Sequence, residues 1–76
     1  MQPLLNHEIG THAGTVYRSL LDNPGQSAAS IRKETGLTAR QIDLAIGWLA
    51  REAKLAAERD GRVTRYFLAG SGTAEA

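Results

Sequence analysis

The stretch from Gly36 to Lys54 constrains this chain more than any other part of it. Gly36 suits the left-handed residue that ends a helix, and Leu37 follows as the chain turns inward. Thr38, with Gln41 three residues later, makes a capping box: the hydroxyl takes a free backbone N–H and the glutamine amide reaches back. Beyond the cap, Ile42, Ile46, Leu49 and Ala53 recur at spacings of four, three and four, with Ala45 beside them. That period places one stripe of a helix against a core.

Two shorter helical patterns precede this one. Ile9, Ala13, Val16 and Leu20 recur at four, three and four, widened by Tyr17 and Leu21, which predicts a first helix over residues 7–22. Asn6 is read as its N-cap, and Pro3 sets residues 1–5 apart as a lead-in. Gly10 and Gly14 each weaken that helix by about 1 kcal/mol relative to alanine. They are either tolerated or allow a neighbouring helix to come close. Asp22-Asn23-Pro24-Gly25 is a dense stop signal. Gln26-Ser27 reads as a very short extended segment, with Ser27 capping a second helix that runs through Thr35 and turns Ala28 and Ile31 inward.

After Lys54 the pattern changes to extended structure. Leu55–Arg59 and Arg62–Leu68 flank Asp60-Gly61, a strong signal for a two-residue hairpin turn of type I′. Such a turn would oppose Arg59 to Arg62, Glu58 to Val63, Ala57 to Thr64 and Leu55 to Tyr66. Leu55, Ala57, Tyr66 and Leu68 then share a core-facing side. Ala56, Glu58, Val63, Arg65 and Phe67 take the other, where Phe67 has no evident cover. Residues 69–76 are small and polar and are expected to form a disordered tail.

Helix, short strand, helix, helix and hairpin is the element order of an α+β, mostly α, winged helix-turn-helix over residues 6–68, with three helices, a short first strand and a C-terminal two-stranded wing. Ile31, Gly36, Leu37, Ile42 and Ala45 fill the apolar and turn positions of the helix-turn-helix, whereas Arg32 stands where a small residue is usual. The run Gly47-Trp48-Leu49-Ala50-Arg51-Glu52 resembles a family of small stand-alone bacterial and archaeal winged helix domains, in which it closes the third helix and leads into the wing. The resemblance implies the fold and carries no firmly assigned activity.

The chain has 76 residues, no cysteine and a net charge of +1. At this length only about 60% of the unfolded surface is buried, so the core is small and self-association would help it. Disulfides and thiolate metal sites are excluded. Neither a membrane span nor a signal peptide is expected, which makes cytoplasmic the default location. Near-neutral charge does not by itself announce nucleic acid, but seven of the nine basic residues are arginine, and five of those lie between Arg40 and Arg65. Arginine's planar fork suits phosphate oxygens and guanine edges.

The candidate nucleic-acid contacts are therefore Thr38, Arg40, Gln41 and Arg51 on the third helix and Arg59 and Arg62 on the wing. Thr38 and the adjoining N–H groups suit a phosphate; Arg40 and Gln41 suit guanine and adenine edges. The plainer reading leaves Gln41 to the cap and Arg40 as ordinary surface. Arg59 and Arg62, expected to project together, suit a phosphate backbone or a narrow minor groove; the plainer reading is a charged edge that blocks strand-to-strand aggregation. Leu44 and Trp48, one turn apart on the flank of the third helix, pack within the chain or, with Phe67, anchor a partner.

His7 and His12 are five apart and do not share a helical face, so no metal pair is expected. Gly70-Ser71-Gly72 lacks the helix a phosphate loop needs, and no nucleophile–base–acid set can be assembled. The sequence reads as a binding module without catalysis or cofactor. It is expected to be a double-stranded DNA-binding protein, a small transcriptional regulator with its third helix in the major groove and wing arginines on the backbone. The rival reading is a protein-interaction or dimerisation module on the same fold; RNA is a third partner class.

Overall fold

The computed structural model describes residues 2–69, with side chains from His7 onward. Its elements are α1 (Gln2–Asp22), α2 (Ala28–Thr35), α3 (Ala39–Arg51), β1 (Leu55–Asp60) and β2 (Val63–Leu68). This is the expected winged helix-turn-helix order. Among the described residues no helix is long and apolar enough to cross a membrane.

The start of α1 differs from expectation. The helix begins at Gln2, so the supposed lead-in is helical from its second residue and Asn6 lies inside the helix instead of capping it. Pro3 is compatible with this because the first turn of a helix has no acceptor for the N–H that proline lacks. The expected tail lies outside the described residues beyond Ala69.

Ala13, Val16 and Leu20 of α1, Ile31 of α2, Ile42, Ala45 and Leu49 of α3, and Leu68 of β2 form the buried core. The helical stripes read from spacing thus converge, with α1 and α3 the most extensively packed pair of helices. Tyr17 and Leu21 do not widen the α1 stripe inward: they are 36% and 56% exposed. Both helix-turn-helix caps form as expected. Ser27 Oγ accepts from Ser30 N at 3.1 Å, and Gly36 takes φ 79° while donating its N–H to Arg32 O at 2.8 Å.

Ala53 is a second correction. It belongs neither to α3 nor to the core; it is exposed and adopts φ 59°. The α3 helix ends in a Schellman arrangement, with Ala53 N donating to Ala50 O at 3.0 Å and Lys54 N to Leu49 O at 2.9 Å. Continuing the stripe by spacing failed because the chain must reverse here to bring Leu55 beneath the core.

The wing pairs antiparallel with Leu55 opposite Leu68, Ala57 opposite Tyr66, Arg59 opposite Thr64 and Asp60 opposite Val63. The turn is therefore Gly61-Arg62, not Asp60-Gly61, and Arg59 and Arg62 are not cross-strand partners. Gly61 takes φ 65° and Arg62 has no positive φ. Those are the signs of a type II′ turn, which needs only its first residue in the left-handed half of the map. The slip moves each partner by two residues, so the faces survive. Leu55, Ala57, Tyr66 and Leu68 still share the inner side. The short extended segment before α2 is a single antiparallel bridge from Gln26 to Tyr66. It is closed by Gly25 N donating to Tyr66 O at 2.9 Å and Tyr66 N to Gln26 O at 2.8 Å.

Candidate nucleic-acid interface

The N-terminus of α3 is built by the capping box. Thr38 Oγ1 accepts from Gln41 N at 3.1 Å, and Thr38 N donates to Gln41 Oε1 at 3.0 Å. The Ala39 and Arg40 N–H groups remain as first-turn donors without an intrahelical acceptor. The same box binds Gln41. Pairing an adenine edge takes both the oxygen and the nitrogen of the glutamine amide, and here the oxygen is already an acceptor for Thr38. Arg40 is exposed and is the one side chain of this turn free to reach outward with several donors.

The exposed side of α3 follows from its core side. With Ile42, Ala45 and Leu49 buried, the outward arc carries Ala39, Ala50 and Asp43 at one edge and Arg40, Arg51 and Leu44 at the other. Gly47 lies between the two edges. A Cβ built on Gly47 would meet nothing within 4 Å. Arg51 closes the helix, shortly before β1 begins at Leu55.

On the wing, Arg59 projects from β1 beside Thr64, on the same side as the inner residues but beyond the core, and Arg62 sits in the turn itself. Both are exposed. Arg65 is differently placed. Its Nε donates to Asp60 Oδ2 at 3.0 Å and its Nη1 to Gly25 O at 3.1 Å, tying the wing to the loop between α1 and α2. Among the described residues, Arg40, Arg51, Arg59 and Arg62 form no ion pair; the pairs found are Arg65–Asp60 and Lys54–Glu52.

The apolar candidates separate. Trp48 is half-buried and lies across α1, where a Cβ on Gly10 would stand 3.8 Å from Trp48 Cζ2. A methyl group at Gly10 would rest in ordinary contact with that ring and one at Gly14 would meet open space, so both glycines are tolerated in α1 and neither is required by a close approach. Trp48 and Gly10 line an open groove of about 390 Å³ between α1 and the end of α3, with Tyr17, Leu21 and Glu52. Phe67, without cover in the sequence reading, folds over the α1–α2 loop. Its ring lies 3.2 Å from where a Gly25 Cβ would be, and it shares a small cleft with Leu20, Leu21 and Pro24. Gly25, at φ 82°, is required there twice over, for its backbone and for this ring. Leu44 stays 39% exposed.

One polar hub escaped the sequence reading. Gln26 is 6% exposed; its Nε2 donates to Ser19 O at 3.0 Å and Ser19 Oγ at 2.9 Å, and its Oε1 accepts from Ser30 Oγ at 2.9 Å. With its backbone paired to Tyr66, it joins α1, α2 and the wing. Nothing local marks a glutamine for such a task, since each partner lies on another element. Among the described residues no three His, Cys, Asp or Glu side chains are grouped to hold a metal.

Against known proteins, residues 4–67 match the family model described as a winged helix-turn-helix domain, DUF2582. The solution NMR structure of BT2368 from Bacteroides thetaiotaomicron, a structural genomics target, superposes with a TM-score of 0.76 at 32% identity, over 82% of this chain and 76% of that one. A structure of HOP2, described as giving insight into that protein's DNA recognition and protein interaction domains and its homologous DNA pairing, superposes at 0.61. It is 29% identical over 75% of this chain and 97% of the other. No curated protein matches.

Proposed function

The chain belongs to the DUF2582 family of winged helix-turn-helix domains, and from that premise we propose that it binds double-stranded DNA as a small cytoplasmic regulator without catalytic activity. One observation carries the reading: of the six exposed arginines without an acidic partner among the described residues, four lie on α3 and the hairpin that follows it, Arg40 and Arg51 on the helix and Arg59 and Arg62 on the wing. Arg65, which does have one, is held as a structural tie. A guanidinium kept unpaired at several points of two adjacent elements is what a phosphate backbone requires. The likeness to HOP2, described by its DNA recognition and pairing, supports the same partner.

In this reading α3 enters the major groove with its N–H groups and Thr38 near a phosphate, and Arg40 is its reading residue. Gln41 contributes through the cap. Arg62 at the wing tip and Arg59 beside it lie on the flanking backbone. With one arginine and no free amide at the reading end, discrimination between sequences is modest, and affinity is mostly electrostatic.

Fluorescence anisotropy with mixed-sequence duplexes, repeated over a salt series starting at ~50 mM, tests this. Binding is expected to weaken linearly in log–log form. Replacing both Arg59 and Arg62 by alanine should lower affinity for every duplex alike and reduce the slope by about 1.8, at roughly 0.9 per phosphate contact. Absence of binding at tens of micromolar protein would sink the proposal and favour the interaction-module alternative, for which the exposed Leu44 and the Trp48 groove are the available surfaces.

A further inference from the structure

We infer that the groove between α1 and the end of α3 is where a second copy of this chain docks. In this two-fold dimer Leu21 of each copy enters the groove of the other, and Arg18 of each pairs with Glu52 of the other. None of Arg40, Arg51, Arg59 and Arg62 lines this groove, so the inference stands apart from the DNA-binding reading. Leu21 and Tyr17, one turn apart on α1, are two of the four large hydrophobic side chains left exposed among the described residues, at 56% and 36%. Both line the groove beside half-buried Trp48. One exposed apolar side chain is unremarkable on any surface, whereas two beside a tryptophan make a continuous apolar patch of the kind that a protein contact covers.

The charges along the groove indicate what fills it. Arg18 stands on α1 and Glu52 just past the end of α3; both line the groove, and they form no pair within the chain. Arg18 has no acidic partner among the described residues. Glu52 meets Lys54 at 3.6 Å, with side chains 44% and 56% exposed, and such a surface pair holds its carboxylate weakly. In a two-fold contact each copy presents the same patch, so the patch must complement itself. This one does. It carries a projection in Leu21, a hollow of about 390 Å³ beside it, an unpaired cation and a loosely held carboxylate. One contact then forms two Arg18–Glu52 pairs and covers both Leu21 side chains. A phosphate backbone suits the patch badly, since it would meet the Glu52 carboxylate and leave Tyr17 and Leu21 without apolar cover.

Sedimentation equilibrium over protein concentrations from about 1 μM to 1 mM, the range of transient contacts, tests this. The parent chain is expected to dimerise within that range. Trp48 emission should move to shorter wavelength as it does, because the second copy covers the groove that Trp48 lines. Leu21→Glu should raise the dissociation constant about tenfold or more, with circular dichroism unchanged because Leu21 is exposed in the single chain. Arg18→Glu and Glu52→Arg should each weaken the dimer about fivefold or more by setting like charges together. The double variant, which keeps the parent's net charge, should associate as the parent does. An equimolar mixture of the two single variants should also associate, since each copy then supplies the charge that the other lacks. Arg18 and Glu52 are exposed, so the charge variants decide the matter even where Leu21→Glu fails to fold. A parent chain that stays monomeric throughout would overturn the inference. So would a dimer that Leu21→Glu and the single charge variants leave intact, or one that the double variant does not restore. Duplex binding is measured separately: its absence would leave the dimer standing, and a monomer that binds duplex would leave the DNA-binding reading intact.

Discussion

Ala53 offers the sharpest test of how this chain turns from helix into wing. Its φ of 59° puts an alanine where its Cβ crowds the following carbonyl oxygen, at a cost of about 1–2 kcal/mol. The conformation persists because two hydrogen bonds, Ala53 N to Ala50 O and Lys54 N to Leu49 O, close the end of α3 around it. Ala53→Gly removes the crowding while keeping both bonds. It also loosens the unfolded chain, which offsets about 0.4–1 kcal/mol of the gain. Because Ala53 is exposed, little packing is lost with its methyl group. The net expectation is a stabilisation of about 0.5–1 kcal/mol, a rise of several degrees in the midpoint for a domain this small. Ala53→Val should move the other way, since a β-branched side chain tolerates the left-handed region worse. Thermal and urea unfolding followed by circular dichroism measure both, with an unchanged denaturant slope showing that the compactness of the unfolded state is not the origin. An Ala53→Gly variant no more stable than the parent, or an Ala53→Val variant as stable as the parent, would refute the claim that a strained residue closes this helix.

Two other perturbations follow from the geometry. Gln26→Ala leaves its former partners on Ser19 and Ser30 without their glutamine hydrogen bonds and should cost about 1–3 kcal/mol in urea unfolding, more than the loss of an exposed glutamine would. Thr38→Ala breaks the capping box and should cost about 1 kcal/mol by the same measurement, with the reciprocal Gln41 contact weakened as well.

The parts of the fold legible in the chain are those set by neighbours three or four residues apart. The caps at Ser27 and Thr38, the left-handed Gly36 and the inward stripe of Ile42, Ala45 and Leu49 all depend on such short spacings, and they appear as read. The faces of the wing were legible too, because side chains alternate with a period of two and a slip of two residues leaves the alternation unchanged. The arginines of the candidate interface are legible as residue types.

What separates those arginines was decided by the hairpin register and by contacts between elements distant in sequence. Arg65 is engaged by Asp60 across its own hairpin and by Gly25, forty residues upstream, which folding brings within reach of its guanidinium; Arg59 and Arg62 have no acidic partner among the described residues. The same loop covers Phe67, α1 covers Trp48 through Gly10, and the Gln26–Tyr66 bridge ties the hairpin to the helices. The hairpin register likewise depended on which residue would take positive φ, and Gly61 could do so alone at a lower steric cost than a turn that also required it of Asp60. Sequence by itself determined the elements and their buried sides, through short-range hydrogen bonds and hydrophobic periodicity. Only the tertiary structure decided which polar groups are consumed and which remain for a partner, since that depends on which groups long-range packing brings together.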